Sequence, residues 1–292
     1  MDITLALGGG GAKGNAHIGV LRRLEQNGFR IKGIAGTSFG GLIAVLYAAG
    51  YRPNDLEEMF AGFDQRKFYG HGPNDAPSLM GLAGVSRMLD EIFGDRTFEQ
   101  LRIPCAVTAT DLKSGSEVVL SSGRIVDALL ATTAMPAVFP VRYIGDFELV
   151  DGGTLDPVPV APARALLPKL PVVAVALNIP MGSAARTWTI PIPNFLPRAL
   201  VQRVSSMRYG HMLDVFVRSF DIISRAVAEY RLEVDKPDVI IRPRVGNIDT
   251  LDIIDVHEVV RIGEAAVDEV LPQLKQKFTL RNRFLRALGA KA

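Results

Sequence analysis

Few arrangements suit a serine held between a short apolar strand and an apolar helix with glycines on either side, and residues 31–50 have that form. The strand reads Ile31-Lys32-Gly33-Ile34-Ala35, the turn Gly36-Thr37-Ser38-Phe39-Gly40, and the helix Gly41-Leu42-Ile43-Ala44-Val45-Leu46-Tyr47-Ala48-Ala49. Gly50 stops the helix, because a residue free to take φ > 0 closes a helix C-terminus at little cost. This is the strand–G-x-S-x-G–helix context of a nucleophile elbow. A sharp turn lifts the Ser38 hydroxyl clear of the sheet. The flanking Gly36 and Gly40 are needed because a Cβ there would meet the neighbouring strand or helix. The helix that follows aims its N-terminal partial charge at the serine, where alkoxide and oxyanion charge would develop. The pentapeptide alone arises easily in a chain with 28 glycines, so its neighbours decide what it means.

The chain has 292 residues, enough for one large domain or a domain with an elaborated subdomain. With 48% hydrophobic and 22% charged residues it has material for a large core and no signature of disorder. A formal net charge of +2 does not call for nucleic acid. The single cysteine, Cys105, excludes an internal disulfide and every multi-cysteine metal site. Its apolar neighbours Ile103, Pro104, Ala106 and Val107 mark it as a buried thiol, which fits a reducing compartment. Residues 3–7 follow the start with no basic segment, so no signal peptide is read, and no run of 18 apolar residues exists. The expected location is cytoplasmic.

Ile3–Leu7 reads as a buried strand that runs into Gly8-Gly9-Gly10-Gly11-Ala12-Lys13-Gly14 and then an amphipathic helix with Ile18, Leu21 and Leu24 inward. Gly9, Gly11 and Gly14 satisfy G-x-G-x-x-G, but the dinucleotide reading also wants a carboxylate ending the second strand. Ala35-Gly36-Thr37-Ser38 has none. A Walker A loop fails because Asn15 follows Gly14. An oxyanion hole remains, since consecutive glycines leave backbone N–H groups unshielded near a helix start; a tight turn without a ligand is the other reading. Further along, helices are expected from Pro53 to about Phe63, over Leu82–Phe93 and over Arg124–Thr133, with a long surface loop over Gln65–Ser78. Ile103–Thr110 and Ser116–Leu120 are expected as buried strands joined by a hairpin turn, Asp111-Leu112-Lys113-Ser114-Gly115. Phe147-Glu148-Leu149-Val150 is a strand that delivers Asp151 into a Gly152-Gly153 turn. A carboxylate past the end of a central strand is placed to act at the sheet's edge, although an Asx turn would use the same residues.

The glycine loop, the elbow and Asp151-Gly152-Gly153, about 110 residues after Ser38, stand in one order. Together they resemble the patatin-like phospholipase family, whose pattern is G-G-G-x-[RK]-G, then G-x-S-x-G, then D-G-[GA]. Ala131–Pro140, Asp156–Val160 and Pro237–Pro243 resemble its bacterial branch, related to the neuropathy target esterase catalytic domain. The resemblance implies a three-layer α/β/α fold with a mainly parallel central sheet, and residues 1–292 as a single catalytic domain. It implies a Ser–Asp dyad, with Ser38 as nucleophile and Asp151 as general base, and backbone N–H groups of Gly10 and Gly11 as oxyanion donors. Gly9, Lys13, Gly14, Gly36, Gly40, Gly152 and Gly153 would support the motifs, and Lys13 would fix the loop or attract an anionic head group. No metal or organic cofactor is implied.

A Ser–His–Asp triad is the rival: His17 and His71 precede Asp151, His211 lies in a region expected to cap the site, and His257 stands in the Ser…Asp…His order that α/β-hydrolases use. From Pro157 to Leu213 there is no acidic residue, while Arg164, Lys169, Arg186, Arg198, Arg203 and Arg208 supply positive charge. Residues 179–233 are therefore expected as a lid, membrane contact or oligomer contact, with a long helix over about Ser206–Glu233. Residues 275–292 are expected as a basic amphipathic tail. The function that follows is a serine acyl hydrolase cleaving ester bonds of phospholipids or lysophospholipids, with peripheral contact to anionic membrane and homo-oligomerisation as further expectations. An acyltransferase on the same fold and a catalytically silent membrane-binding scaffold are the alternatives.

Overall fold

The computed structural model describes residues 1–178, apart from 69 and 74, and residues 208–277. The proline-rich run Trp188–Pro197 and nearly all of the 275–292 tail lie outside the described residues. In chain order the elements are β1 (Asp2–Leu7), α1 (Ala16–Gln26), β2 (Arg30–Thr37), α2 (Phe39–Ala49), α3 (Pro53–Gly62), α4 (Ala83–Phe93), β3 (Cys105–Asp111) and β4 (Ser116–Leu120). They continue with α5 (Ile125–Thr132), β5 (Arg142–Ile144), β6 (Phe147–Asp151), α6 (Val160–Leu166), β7 (Val172–Val175), α7 (Arg208–Asp235), β8 (Val239–Ile241) and α8 (Val256–Lys277).

The eight strands of the described residues form one sheet in the order β5-β6-β3-β2-β1-β7-β8, with β4 paired to β3 off this path. The pairs β1–β2, β1–β7, β2–β3 and β7–β8 are parallel. Helices cover both faces, as a parallel sheet requires. Alternation along β1 shows how: Ile3, Leu5 and Leu7 join a core with α1, α2 and α8, while Ala6 faces the other way, toward α6 and α7. That second face is lined by alanines (Ala6, Ala35, Ala106 and Ala174), so the helices on it can approach closely. On the first face α1 and α8 cross backbone to backbone. A Cβ at Gly19 would lie 1.9 Å from the Val260 carbonyl oxygen, and one at Gly263 1.9 Å from that of Ala16.

The register about β3 brings two distant segments together. Thr108 pairs with Thr37 of β2 and with Val119 of β4, so β2 and β4 occupy opposite edges of β3. Ala109 pairs with Val118 of β4 and with Asp151 of β6, so β6 lies on the same edge as β2. β2 runs parallel to β3 and β6 antiparallel. Their C-terminal ends therefore meet on that edge, opposite the consecutive residues Thr108 and Ala109.

Two expectations need correcting. β4 is an edge strand with no buried residue, not a buried one, because among the described residues β3 is its sole strand partner. Asp151 is the last residue of an antiparallel strand rather than a residue beyond a strand's end. The Gln65–Ser78 stretch also opens with a 3-10 turn, Gln65–Phe68, and Gly70 bridges to Leu82.

Candidate active site

Ser38 sits between β2 and α2 with φ 54° and ψ −128°, a backbone conformation that L-residues rarely adopt. Its N–H donates to Thr132 Oγ1 at 2.9 Å, and its carbonyl accepts from Leu42 N at 3.1 Å. Both elbow glycines answer to close approach. A Cβ at Gly36 would lie 2.4 Å from the Gly40 carbonyl oxygen, and one at Gly40 2.5 Å from those of Leu7 and Gly8. The preceding Thr37 is buried, its hydroxyl donating to the Asp156 carbonyl at 2.8 Å and lying 2.7 Å from Thr108 Oγ1.

Asp151 reaches the elbow from the end of β6 and is 5% exposed. Its Oδ1 accepts the Gly153 N–H at 2.8 Å, and its own N–H donates to the Ala134 carbonyl at 2.9 Å. Burial pushes its carboxyl up to about 6, with the Ser38 hydroxyl and the Gly153 N–H, as hydrogen-bond donors, working in the opposite direction. Gly152 packs on β3, where a Cβ would fall 2.3 Å from Thr108 Oγ1.

The glycine loop closes over Ser38, with Gly9 so near that a Cβ there would touch the Ser38 Cβ at 3.3 Å. Gly8, Gly9 and Ala12 donate to the carbonyls of Val175, Pro157 and Thr250, and Lys13 N to that of Gly10. Among the described residues the N–H groups of Gly10 and Gly11 bond to nothing, although both line the pocket at Ser38. Gly14 lies against the Phe39 ring. Lys13 is buried, and desolvation lowers its ammonium below the usual lysine range. His17 is fully buried, with Nε2 2.7 Å from the Gly8 carbonyl. A carbonyl can only accept, so Nε2 carries the proton, and burial holds this imidazole down at about 4. His71 lies near the Ser78 carbonyl and His257 pairs with Glu57 at 2.6 Å. No described histidine side chain lines a pocket at Ser38.

Two cavities open at Ser38 and Asp151. One, about 900 Å³ with its open mouth, is apolar, walled by Phe39, Leu42, Phe60, Leu82, Val85 and Met88. The other, about 700 Å³, is the more polar of the two, with Lys13, Asn178, Asp221, Ser224 and Arg225 in its wall beside the glycine loop, Leu177 and Phe220. Thr132, His17 and Arg225 were not among the residues singled out from the sequence for this site. Thr132 lies in the Ala131–Pro140 stretch that carried the resemblance, but no spacing marks its bond to Ser38.

The family model of patatin-like phospholipases matches residues 5–164. An NTE family protein of Mycobacterium tuberculosis is 36% identical over 187 residues, covering 63% of this chain and 51% of that protein. A lysophospholipase of Emericella nidulans is 26% identical over 296 residues, covering 95% of this chain and 18% of that one. The chain spans about half the length, or less, of these curated relatives. The crystal structure of VipD from Legionella pneumophila shares the fold, with a TM-score of 0.57 at 13% identity over 93% of this chain and 67% of that one. Among the described residues no helix is long and apolar enough to cross a membrane. The matched span covers more than half of the chain and holds the glycine loop, the elbow and Asp151, and the chain belongs to the patatin-like phospholipase family.

Proposed function

We propose that this chain is a serine acyl hydrolase that cleaves carboxylic ester bonds of phospholipids or lysophospholipids through Ser38 and Asp151. The observation that carries the reading is the buried Asp151 carboxyl beside Ser38, raised to about 6 and so able to act as a base near neutral pH. A serine hydroxyl is a poor nucleophile until a base takes its proton. As Ser38 Oγ attacks the ester carbonyl, Asp151 takes that proton, and the developing oxyanion accepts the free N–H groups of Gly10 and Gly11. Collapse of the tetrahedral intermediate expels the alcohol, which leaves with the proton from Asp151. Water then loses a proton to Asp151 as it attacks the acyl-enzyme. The fatty acid departs, and the proton returns to Ser38. Each oxyanion donor is worth ~3 kcal/mol of barrier, so the glycine loop is asked for a large share of the catalysis.

The apolar cavity is the natural seat of an acyl chain. The outer side of α7, with Val215, Phe216, Ile222 and Ile223 exposed beside a helix that lines the polar cavity, suits contact with a lipid surface. The deciding experiment is intact mass after incubation with a fluorophosphonate lipid analogue. One adduct on the wild type, mapped to Ser38 and absent from Ser38→Ala, is expected. A folded wild type that takes no label in the presence of vesicles would overturn the reading.

A further inference from the structure

The polar cavity beside Ser38 carries charge that the hydrolytic steps do not use. Lys13 reaches it from the glycine loop and Arg225 from α7, two elements more than 200 residues apart in the chain. Lys13 is 7% exposed and makes no ion pair within 4 Å among the described residues. The carboxylates of Asp221, Asp249 and Asp252 act on it only at longer range, and burial dominates its titration. Burial takes hydration from this ammonium, and an anion entering the cavity would compensate the loss. Arg225 is nearly as enclosed, its side chain 13% exposed, and pairs through Nη2 with Asp221 at 2.5 Å. A guanidinium presents five N–H donors, and this contact engages one nitrogen. The wall carries two cations, Lys13 and Arg225, and two carboxylates, Asp221 and the proposed base Asp151. Ser224, on the same turn of α7, donates to the Gly153 carbonyl at 3.2 Å and so ties Arg225 to the turn that follows Asp151.

The two cavities divide the substrate between them. An acyl chain in the apolar cavity leaves the alcohol half of the ester in the polar one, beside Lys13 and Arg225. We propose that Arg225, acting with Lys13, is the specificity determinant that selects esters whose leaving group bears a phosphate. The proposal rests on the hydrolase reading above and deepens it. Arginine fits this role because its planar fork matches phosphate oxygens in pairs, which a lysine point charge does not. Asp221 holds the fork in place in the absence of substrate.

The test has a catalytic arm and a binding arm. In the first, kcat/KM is measured for a lysophospholipid and for the matching neutral monoacylglycerol, on wild type and on Arg225→Gln. The ratio of the two is expected to fall about tenfold in the variant, equivalent to about 1.4 kcal/mol, mainly through KM on the phosphate ester. Arg225→Lys should recover part of it. A ratio that stays where it was, or an equal loss on both esters, would overturn the proposal. In the second arm a non-hydrolysable ether lysophospholipid is titrated into Ser38→Ala and into Ser38→Ala/Arg225→Gln, with inorganic phosphate as competitor. Weaker lipid binding in the double variant is expected, and this arm reads the pocket even if the hydrolase reading fails. If Arg225→Gln weakened inorganic phosphate alone and left the ether lipid unaffected, the pocket would hold a free anion and the head-group assignment would fall.

Discussion

Asp151 is asked to be both buried and basic, and the two demands have one cause. Desolvation lifts its carboxyl from the ordinary 3.8 to about 6, so the base form that the proposed mechanism requires disappears as pH falls through about 6. kcat/KM for a neutral ester should therefore rise tenfold per pH unit below that value and level off above it. Because the folded-state value is raised, the fold favours the protonated form. The stability this brings is whole below about 4 and is lost as pH rises through about 6. At pH 8 the ionised carboxylate costs on the order of 3 kcal/mol. Asp151→Asn keeps an acceptor for the Gly153 N–H and removes the charge. It should melt higher than wild type at pH 8, with little difference at pH 4, while turnover drops by a factor of roughly 10²–10⁴. Equal melting points at pH 8 would count against a desolvated carboxylate. His17 offers a second residue-scale check. Its Nε2–H fixes the Gly8 carbonyl at the root of the glycine loop. His17→Gln can place a donor at that point and should keep most of kcat, whereas His17→Leu should lower kcat about tenfold or more, with KM little changed. A matching loss in both variants would make the residue a packing element only.

α7 is fastened to the site at the level of whole elements. Arg231 donates to Asp156 Oδ2 at 2.9 Å and to Glu117 Oε2 at 3.0 Å, joining α7 to β4 and to the turn after Asp151. Asp156 in turn accepts the Thr37 hydroxyl on its backbone oxygen, one residue from Ser38. Burial raises the Asp156 carboxyl well above the usual range, opposed by Arg231 and reinforced by Glu117. Removing the guanidinium leaves a buried carboxylate with no cation. Arg231→Met should thus cost about 2 kcal/mol, below the 3–5 kcal/mol of fully buried pairs because Arg231 is 24% exposed. The cost should grow with pH, since a protonated Asp156 tolerates the loss, and urea unfolding at pH 5 and pH 8 would show it; an equal cost at both would sink the account. The glycine loop, the elbow and Asp151-Gly152-Gly153 were legible in the sequence because each is a demand of backbone geometry written in consecutive residues. Arg231 and Thr132 were not, because each bonds a residue 70 or more positions away through a register that no local pattern encodes, and Arg225 was not, because only that packing brings it to the cavity at Ser38. β4 misled for a related reason. Val118, Val119 and Leu120 read as core, yet Val119 is 47% exposed, since among the described residues β3 is the strand's one neighbour in the sheet.

For the molecule as a whole, the proposed nucleophile and base lie on a seam between an apolar and a more polar chamber. Gly11, Ser38, Met135, Asp151 and Thr250 face both. The seam is assembled from five separate parts of the chain, and the Thr250 segment clamps the glycine loop by accepting the Ala12 N–H at 2.8 Å. On the proposed mechanism an ester would be read twice, by chain length on one side and by charge on the other, with little coupling between the two readings. Each methylene that enters the apolar chamber should contribute about 0.8 kcal/mol. For a series of neutral esters, kcat/KM should climb roughly fourfold per carbon until the chain reaches the far wall, and then level off. Val85 lines that chamber from α4 and is only partly buried, so a larger side chain can be accepted there without breaking the core. Val85→Trp should move the plateau to shorter chains and leave the Arg225-dependent preference for phosphate esters as it was. A plateau that stays in place in Val85→Trp would mean that the acyl chain runs elsewhere. A phosphate preference that moved with it would mean that the two chambers read the substrate as one.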